Sequence, residues 1–113
     1  MTEPPDRGAL VWIDFTPQSG SEQAGHRPAM VLSPRAYHER SKIAVVCPIT
    51  SNVSPWPWKV MLPADLPVSG AILVDQVRSI DRLARNLRVA GEAPMAVVAE
   101  VQAKLGVLLG LER

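Results

Sequence analysis

Between residues 20 and 28 the chain reads Gly-Ser-Glu-Gln-Ala-Gly-His-Arg-Pro, which puts an acid (Glu22), an imidazole (His26) and a guanidinium (Arg27) on one Gly-bracketed connection. Farther along, Cys-Pro-Ile-Thr ends in Thr50, followed by Ser51. A guanidinium, a hydroxyl and a carboxylate together suit a phosphodiester. The planar fork of Arg matches phosphate oxygens and stabilises charge that builds up on them. The hydroxyl adds a donor, and the carboxylate can accept a proton from an attacking 2′-OH. Spacing alone leaves the plainer readings open, and on composition they carry more weight: Glu22 as a solvated loop acid, Arg27 as a surface ion-pair partner, Thr50 as an ordinary strand residue.

Other side chains invite the same two-way reading. Trp56 and Trp58, in Ser-Pro-Trp-Pro-Trp, sit on a loop, where aromatic faces stack on unpaired bases for about 1–3 kcal/mol each, anchor a peptide partner, or merely cap the sheet. Gln76, next to Asp75, has the amide that reads a base edge, while an Asp on a strand also satisfies a neighbouring turn. His26 reads as a solvated loop histidine rather than a general base, and Trp12, alternating with Val11 and Ile13, reads as packing. Lys59, Arg78, Arg82, Arg85 and Arg88 are candidates for a basic track along a nucleic-acid backbone, with scattered surface cations as the default. A lone cysteine, Cys47, excludes an internal disulfide framework and a Cys-based zinc site.

The elements that must position these groups are short. The chain has 113 residues, enough for one domain with a real core. Its apolar fraction is 47% but its aromatic fraction only 4%, so the core is built from Val, Leu, Ile and Ala. Gly8 to Phe15, Pro28 to Ser33, Ile43 to Thr50, Lys59 to Leu62 and Gly70 to Ile80 read as strands, with Ser51 to Trp58 as a loop. Pro48 demands an edge or a bulge near the end of the third strand. Turn signals between five short strands predict a small antiparallel barrel or curled sheet. From Pro94 the spacing of Val98, Val101, Leu105 and Leu108 predicts a helix that stops at Gly110 and closes the open side of the sheet. One further helical turn fits between Ser33 and Ile43. No linker or repeat divides the chain, so residues 1–113 read as a single domain, with 1–7 as a flexible N-terminal arm.

A net charge of +1 excludes the marked basic excess usual in duplex binders, so any nucleic-acid contact is local. Apolar stretches fall short of the roughly 20 residues a membrane span requires, and Met1 to Asp6 lacks the basic and apolar regions of a signal peptide. The expected location is the cytoplasm.

At this point the motifs carry a family resemblance. GALVWIDF (Gly8 to Phe15) followed by Pro17, then GSEQAGHRP with VLSP (Val31 to Pro34), CPIT (Cys47 to Thr50) and LVDQVRSID (Leu73 to Asp81) occur in this order with family-like spacing. The chain resembles the MazF/PemK toxins of bacterial toxin-antitoxin systems, the MazF branch more closely than the Kid branch. The resemblance implies an α+β chain, mainly β: a small SH3-like antiparallel β-barrel with a C-terminal helix, forming a homodimer. It also implies a sequence-specific endoribonuclease that cleaves single-stranded RNA without metal or other cofactor, through 2′-OH attack that leaves a 2′,3′-cyclic phosphate and a 5′-OH. A MazE-like antitoxin would inhibit it.

Carried over by motif, Arg27 stabilises phosphate charge and is a possible proton donor, Thr50 positions the scissile phosphate, and Glu22 is the general base or orients Arg27. Ser21, Ser51, Trp56, Trp58, Asp75 and Gln76 are the candidate RNA contacts. In the Kid-like branch a His precedes the loop acid and an Arg stands two before the strand Asp. Here those positions are Ser21 and Leu73, so that branch's catalytic scheme does not transfer. Two other classes compete: a CcdB-like gyrase poison of the same fold, which relies on a C-terminal Trp-Gly-Ile tail where this chain reads Gly110-Leu111-Glu112-Arg113, and a non-catalytic SH3-like binding module.

Overall fold

The computed structural model describes residues 3–15 and 25–111. Seven strands, β1 (Ala9–Phe15), β2 (Gly25–Val31), β3 (Ile43–Thr50), β4 (Lys59–Met61), β5 (Ala71–Leu73), β6 (Arg78–Asp81) and β7 (Arg88–Glu92), are joined by two helices, α1 (Arg35–His38) and α2 (Met95–Leu109). The sheet is antiparallel and runs β4-β5-β3-β2-β1-β7, with β6 also paired to β3. Its two end strands, β4 and β7, do not pair with each other, so the expected barrel is an open, coiled sheet.

Both faces of this sheet are covered, which explains why adjacent residues Leu10 and Val11 are both fully buried. One face carries Leu10, Met30, Cys47 and Ile49 and meets Val60, Ile72 and the α2 residues Val97 and Val101. The other carries Ala9, Val11, Ile13, Ala29, Val31, Ala44, Val46 and Ile80, where small side chains permit tight curvature. Helix α2 ends as expected at Gly110, whose φ of 73° is left-handed, with Leu111 N–H bonded back to the Gly106 carbonyl at 2.8 Å. Its apolar stripe is shifted from the expected one: Val97 is buried, whereas Leu108 is 38% exposed, because the last turn overhangs the sheet.

Two sequence expectations need correction. The strand expected over Gly70 to Ile80 is broken by a 3-10 turn, Val74–Gln76. From Val46 to Ile49, β3 advances three residues while its partner goes from Arg78 back to Ile72, six residues, so the turn absorbs three extra residues. The N-terminal arm, expected to be flexible, is docked from residue 3: Asp6 accepts the Arg35 N–H (2.8 Å), the Pro4 carbonyl accepts Arg35 Nε (2.9 Å), and the Pro5 carbonyl accepts His38 Nδ1 (2.7 Å).

Candidate active site

The site arises where β2 and β3 separate. Their ladder holds only from Ala29 paired with Pro48 to Val31 paired with Val46; beyond Pro48, β3 swings away to pair Ile49 and Thr50 with Ile72 and Ala71 of β5. Prolines make this split tolerable. Leu32 N–H donates to the Val45 carbonyl (2.8 Å), so by alternation Met30 and then residue 28 would donate across the ladder, and Pro28, where the strands part, has no N–H to leave orphaned. On β3 the ring nitrogen of Pro48 faces the opposite side, across from the 3-10 insertion, where no ladder bond is made.

The gap is a cleft of about 530 Å³, with Arg27 and Pro28 on one wall and Pro48, Thr50 and Ser51 on the other. Arg27 lies within β2, paired with Ile13, and not on the connecting loop as expected from sequence; β2 starts three residues earlier than the apolar run because its pairing to β1 continues to Gly25. Alternation places the Arg27 side chain on the face of Ala29 and Val31, and Thr50 on the face of Val46 and Pro48. Thr50 Oγ1 accepts the Asn52 N–H at 3.1 Å, which fixes the hydroxyl oxygen and leaves its proton to donate elsewhere.

The remaining candidates divide. Ser51 and Gln76 line the cleft, and so does Arg78. Asp75 and Gln76, expected on a strand, stand on the 3-10 turn; Asp75 lies outside the cleft lining and accepts Trp56 Nε1–H at 3.1 Å. Trp56 is 49% exposed and Trp58 partly buried, and neither lines the cleft. Ser21 and Glu22 lie outside the described residues. Trp12 packs against the core and also lines the cleft. Most of the expected basic track is engaged elsewhere: Lys59 Nζ donates to the Asn52 and Ser54 carbonyls (2.7 and 2.8 Å), Arg82 to the His38 and Ser41 carbonyls (3.0 and 2.8 Å), and Arg88 to Asp14 (3.3 Å).

His26 is on β2 rather than a loop. Its Nδ1 lies 3.0 Å from Arg88 Nη2 and 3.4 Å from Asp14 Oδ1. A guanidinium can only donate, so at the shorter contact Nδ1 is an acceptor and the proton of the neutral ring is on Nε2. Partial desolvation works against ionised Asp14, yet its carboxyl is held below the usual range, with the Asn86 amide and the Arg88 guanidinium donating to it. Burial, reinforced by Asp75, pushes the Cys47 thiol up to about 12, so it is no nucleophile.

Sequence reasoning missed a buried hydroxyl–imidazole pair. Ser33 Oγ lies 2.7 Å from His38 Nε2, and both residues are buried. His38 Nδ1–H is committed to the Pro5 carbonyl, so Ser33 donates to Nε2 while accepting the Val45 N–H at 2.9 Å. Every position is filled, which makes the pair a clamp for the N-terminal arm. Among the described residues no three His, Cys, Asp or Glu side chains form a cluster able to hold a metal ion.

An open, coiled antiparallel sheet with one covering helix, and a cation and a hydroxyl lining the cleft where two strands separate, defines a small α+β protein. Residues 6–109 match the family described as PemK-like, MazF-like toxin of type II toxin-antitoxin system, and the chain belongs to that family. The endoribonuclease toxin MazF of Escherichia coli strain K12 is 41% identical over 106 residues, spanning 94% of this chain and 95% of that protein. The endoribonuclease toxin ChpB of the same strain is 38% identical over 105 residues, 88% of this chain and 90% of that one. A crystal structure of MazE-MazF from Deinococcus radiodurans superposes with a TM-score of 0.91 at 51% identity, covering 96% of this chain and 97% of the other.

Proposed function

We propose that this MazF-like endoribonuclease toxin cuts single-stranded RNA by internal transfer. The 2′-oxygen bonds to the adjacent phosphorus, the P–O5′ bond breaks, and the products are a 2′,3′-cyclic phosphate and a 5′-OH. Arg27 compensates the charge that develops on the phosphoryl oxygens, and Thr50 donates its hydroxyl proton to one of them. Glu22 takes the 2′-OH proton, or orients Arg27 while water takes that proton, and the 5′-oxygen acquires a proton as it leaves, from Arg27, which regains one from solvent, or from water. The reading draws its support from one observation: Arg27 and Thr50, 23 positions apart in sequence, line the same cleft. RNA brings its own nucleophile, so the protein has to supply alignment and donors aimed at the developing charge, and the reaction calls for no cofactor.

In this reading Ser51 and Gln76 touch the RNA within the cleft, Ser21 at the neighbouring connection, and Trp56, Trp58 and Asp75 at its margin. The active form is a homodimer, a MazE-like antitoxin restrains it, and it works in the cytoplasm; among the described residues no helix is long and apolar enough to cross a membrane. The test is incubation of the purified protein with a long transcript in EDTA, followed by primer extension and labelling of the new 5′ ends. Discrete cuts bearing 5′-OH are expected, with a DNA copy left intact and Arg27→Ala slowed by about 100-fold or more. Cleavage by Arg27→Ala at the parental rate would rule the assignment out.

A further inference from the structure

Thr50 is followed by a stretch, Ser51 to Pro57, that is exposed throughout. It is held by hydrogen bonds. Lys59 Nζ donates to the Asn52 carbonyl at 2.7 Å and the Ser54 carbonyl at 2.8 Å. The Asn52 side-chain oxygen accepts the Ser54 N–H (3.0 Å) and hydroxyl (2.6 Å), which closes the turn between them. The Asn52 N–H, at the other end of the same residue, is the group bound to Thr50 Oγ1.

We propose that Lys59 is a positioning residue for Thr50: by gripping the carbonyl of Asn52 it holds that residue's N–H on the Thr50 hydroxyl and aims the hydroxyl proton into the cleft. Lys59 lies outside the cleft lining, so it acts through the loop and not on the RNA. An ammonium donating to two neutral carbonyls makes charge-assisted bonds, stronger than the neutral turn bonds they reinforce. Without them Asn52 is held only by its own turn, and Thr50 Oγ1 gains rotameric freedom. Reaction geometry is sensitive to shifts of that size, a 1 Å misplacement costing up to about 100-fold in rate. The inference rests on the proposed role of Thr50.

A double-mutant cycle tests it: wild type, Lys59→Met, Thr50→Ala and the double variant, each assayed for kcat and KM on one long transcript at its principal mapped cut, at two salt concentrations. Expected are a kcat about tenfold lower in Lys59→Met, a KM within twofold of wild type, partial recovery of kcat in Lys59→Arg, and no further loss when Lys59→Met is added to Thr50→Ala. Unchanged kcat in Lys59→Met overturns the proposal. A rise in KM that shrinks at high salt overturns it too, by showing a direct phosphate contact, and so does an equal loss in both backgrounds, which shows general loop damage. Should Thr50→Ala cleave like wild type, the proposed function itself fails, an outcome distinct from these.

Discussion

Gly70 packs directly on the backbone carbonyl of Thr50. A Cβ built at Gly70 would overlap that oxygen and also press on the Ile49 side chain, and its φ of +123° lies where L side chains are strained. The Gly70 carbonyl in turn accepts the Leu62 N–H at 3.0 Å, so the start of β5 is pinned between the end of β3 and the segment after β4. One glycine thus lets β5 approach closely enough to pull Thr50 away from β2 and open the cleft.

Gly70→Ala is therefore expected to destabilise the fold by about 2 kcal/mol through backbone strain, lowering the melting temperature by roughly 10 °C, and to reduce kcat because Thr50 must move. Calorimetry and the cleavage assay check both. A variant that melts and cleaves like wild type would show that the two backbones do not approach this closely.

Arg78 is exposed and lines the same cleft as Arg27. Its removal is expected to weaken binding of a 2′-O-methyl RNA decamer several-fold in low salt and to reduce the slope of log affinity against log salt by about 0.7, the value for one phosphate contact on a single strand. Fluorescence anisotropy of Arg78→Ala across a salt series measures the slope directly. An unchanged slope would remove Arg78 from the RNA path.

Asp81 holds the turn between β6 and β7. Its Oδ1 accepts the N–H groups of Ala84 and Leu83, both at 3.0 Å, and Lys42 lies 3.5 Å from Oδ2. The Ala84 bond is the largest influence on its carboxyl, which is held below its usual range despite some desolvation. A depressed folded value means that the ionised form stabilises the fold above about pH 4, the unfolded value, and that this contribution is lost as pH falls through the folded value. Urea unfolding from pH 7 to 2.5 should find wild type more stable than Asp81→Asn by a constant margin down to about pH 4, with the margin closing below. A margin that persists at pH 2.5 would contradict it.

Local pattern determined several elements. Alternation marked β1, apolar runs marked β3 and β4, and three-and-four spacing with Pro94 before and Gly110 after marked α2. Pro48 called for an edge or a bulge near the end of β3, but β3 is paired on both sides and the extra residues stand on the facing segment. Strand β7, Arg-Val-Ala-Gly-Glu, carries no such signal: it is a half-exposed edge whose existence depends on pairing with β1. The break at Val74–Gln76 was equally hidden, since no Gly or Pro marks it and the three-residue mismatch arises only in the pairing with β3.

The residue types of the candidate site were legible because phosphate chemistry restricts them, and the ordered motifs by themselves named the family. What tertiary structure decided was the arrangement. Arg27 and Thr50 share a cleft because two strands part at a pair of prolines, and the cationic side chain of Lys59 is spent on backbone carbonyls. Every residue offers the same carbonyl, so such bonds leave no trace in sequence. Side-chain chemistry and periodicity are written along the chain, whereas long-range strand pairing and the partners of the backbone exist only once it has folded.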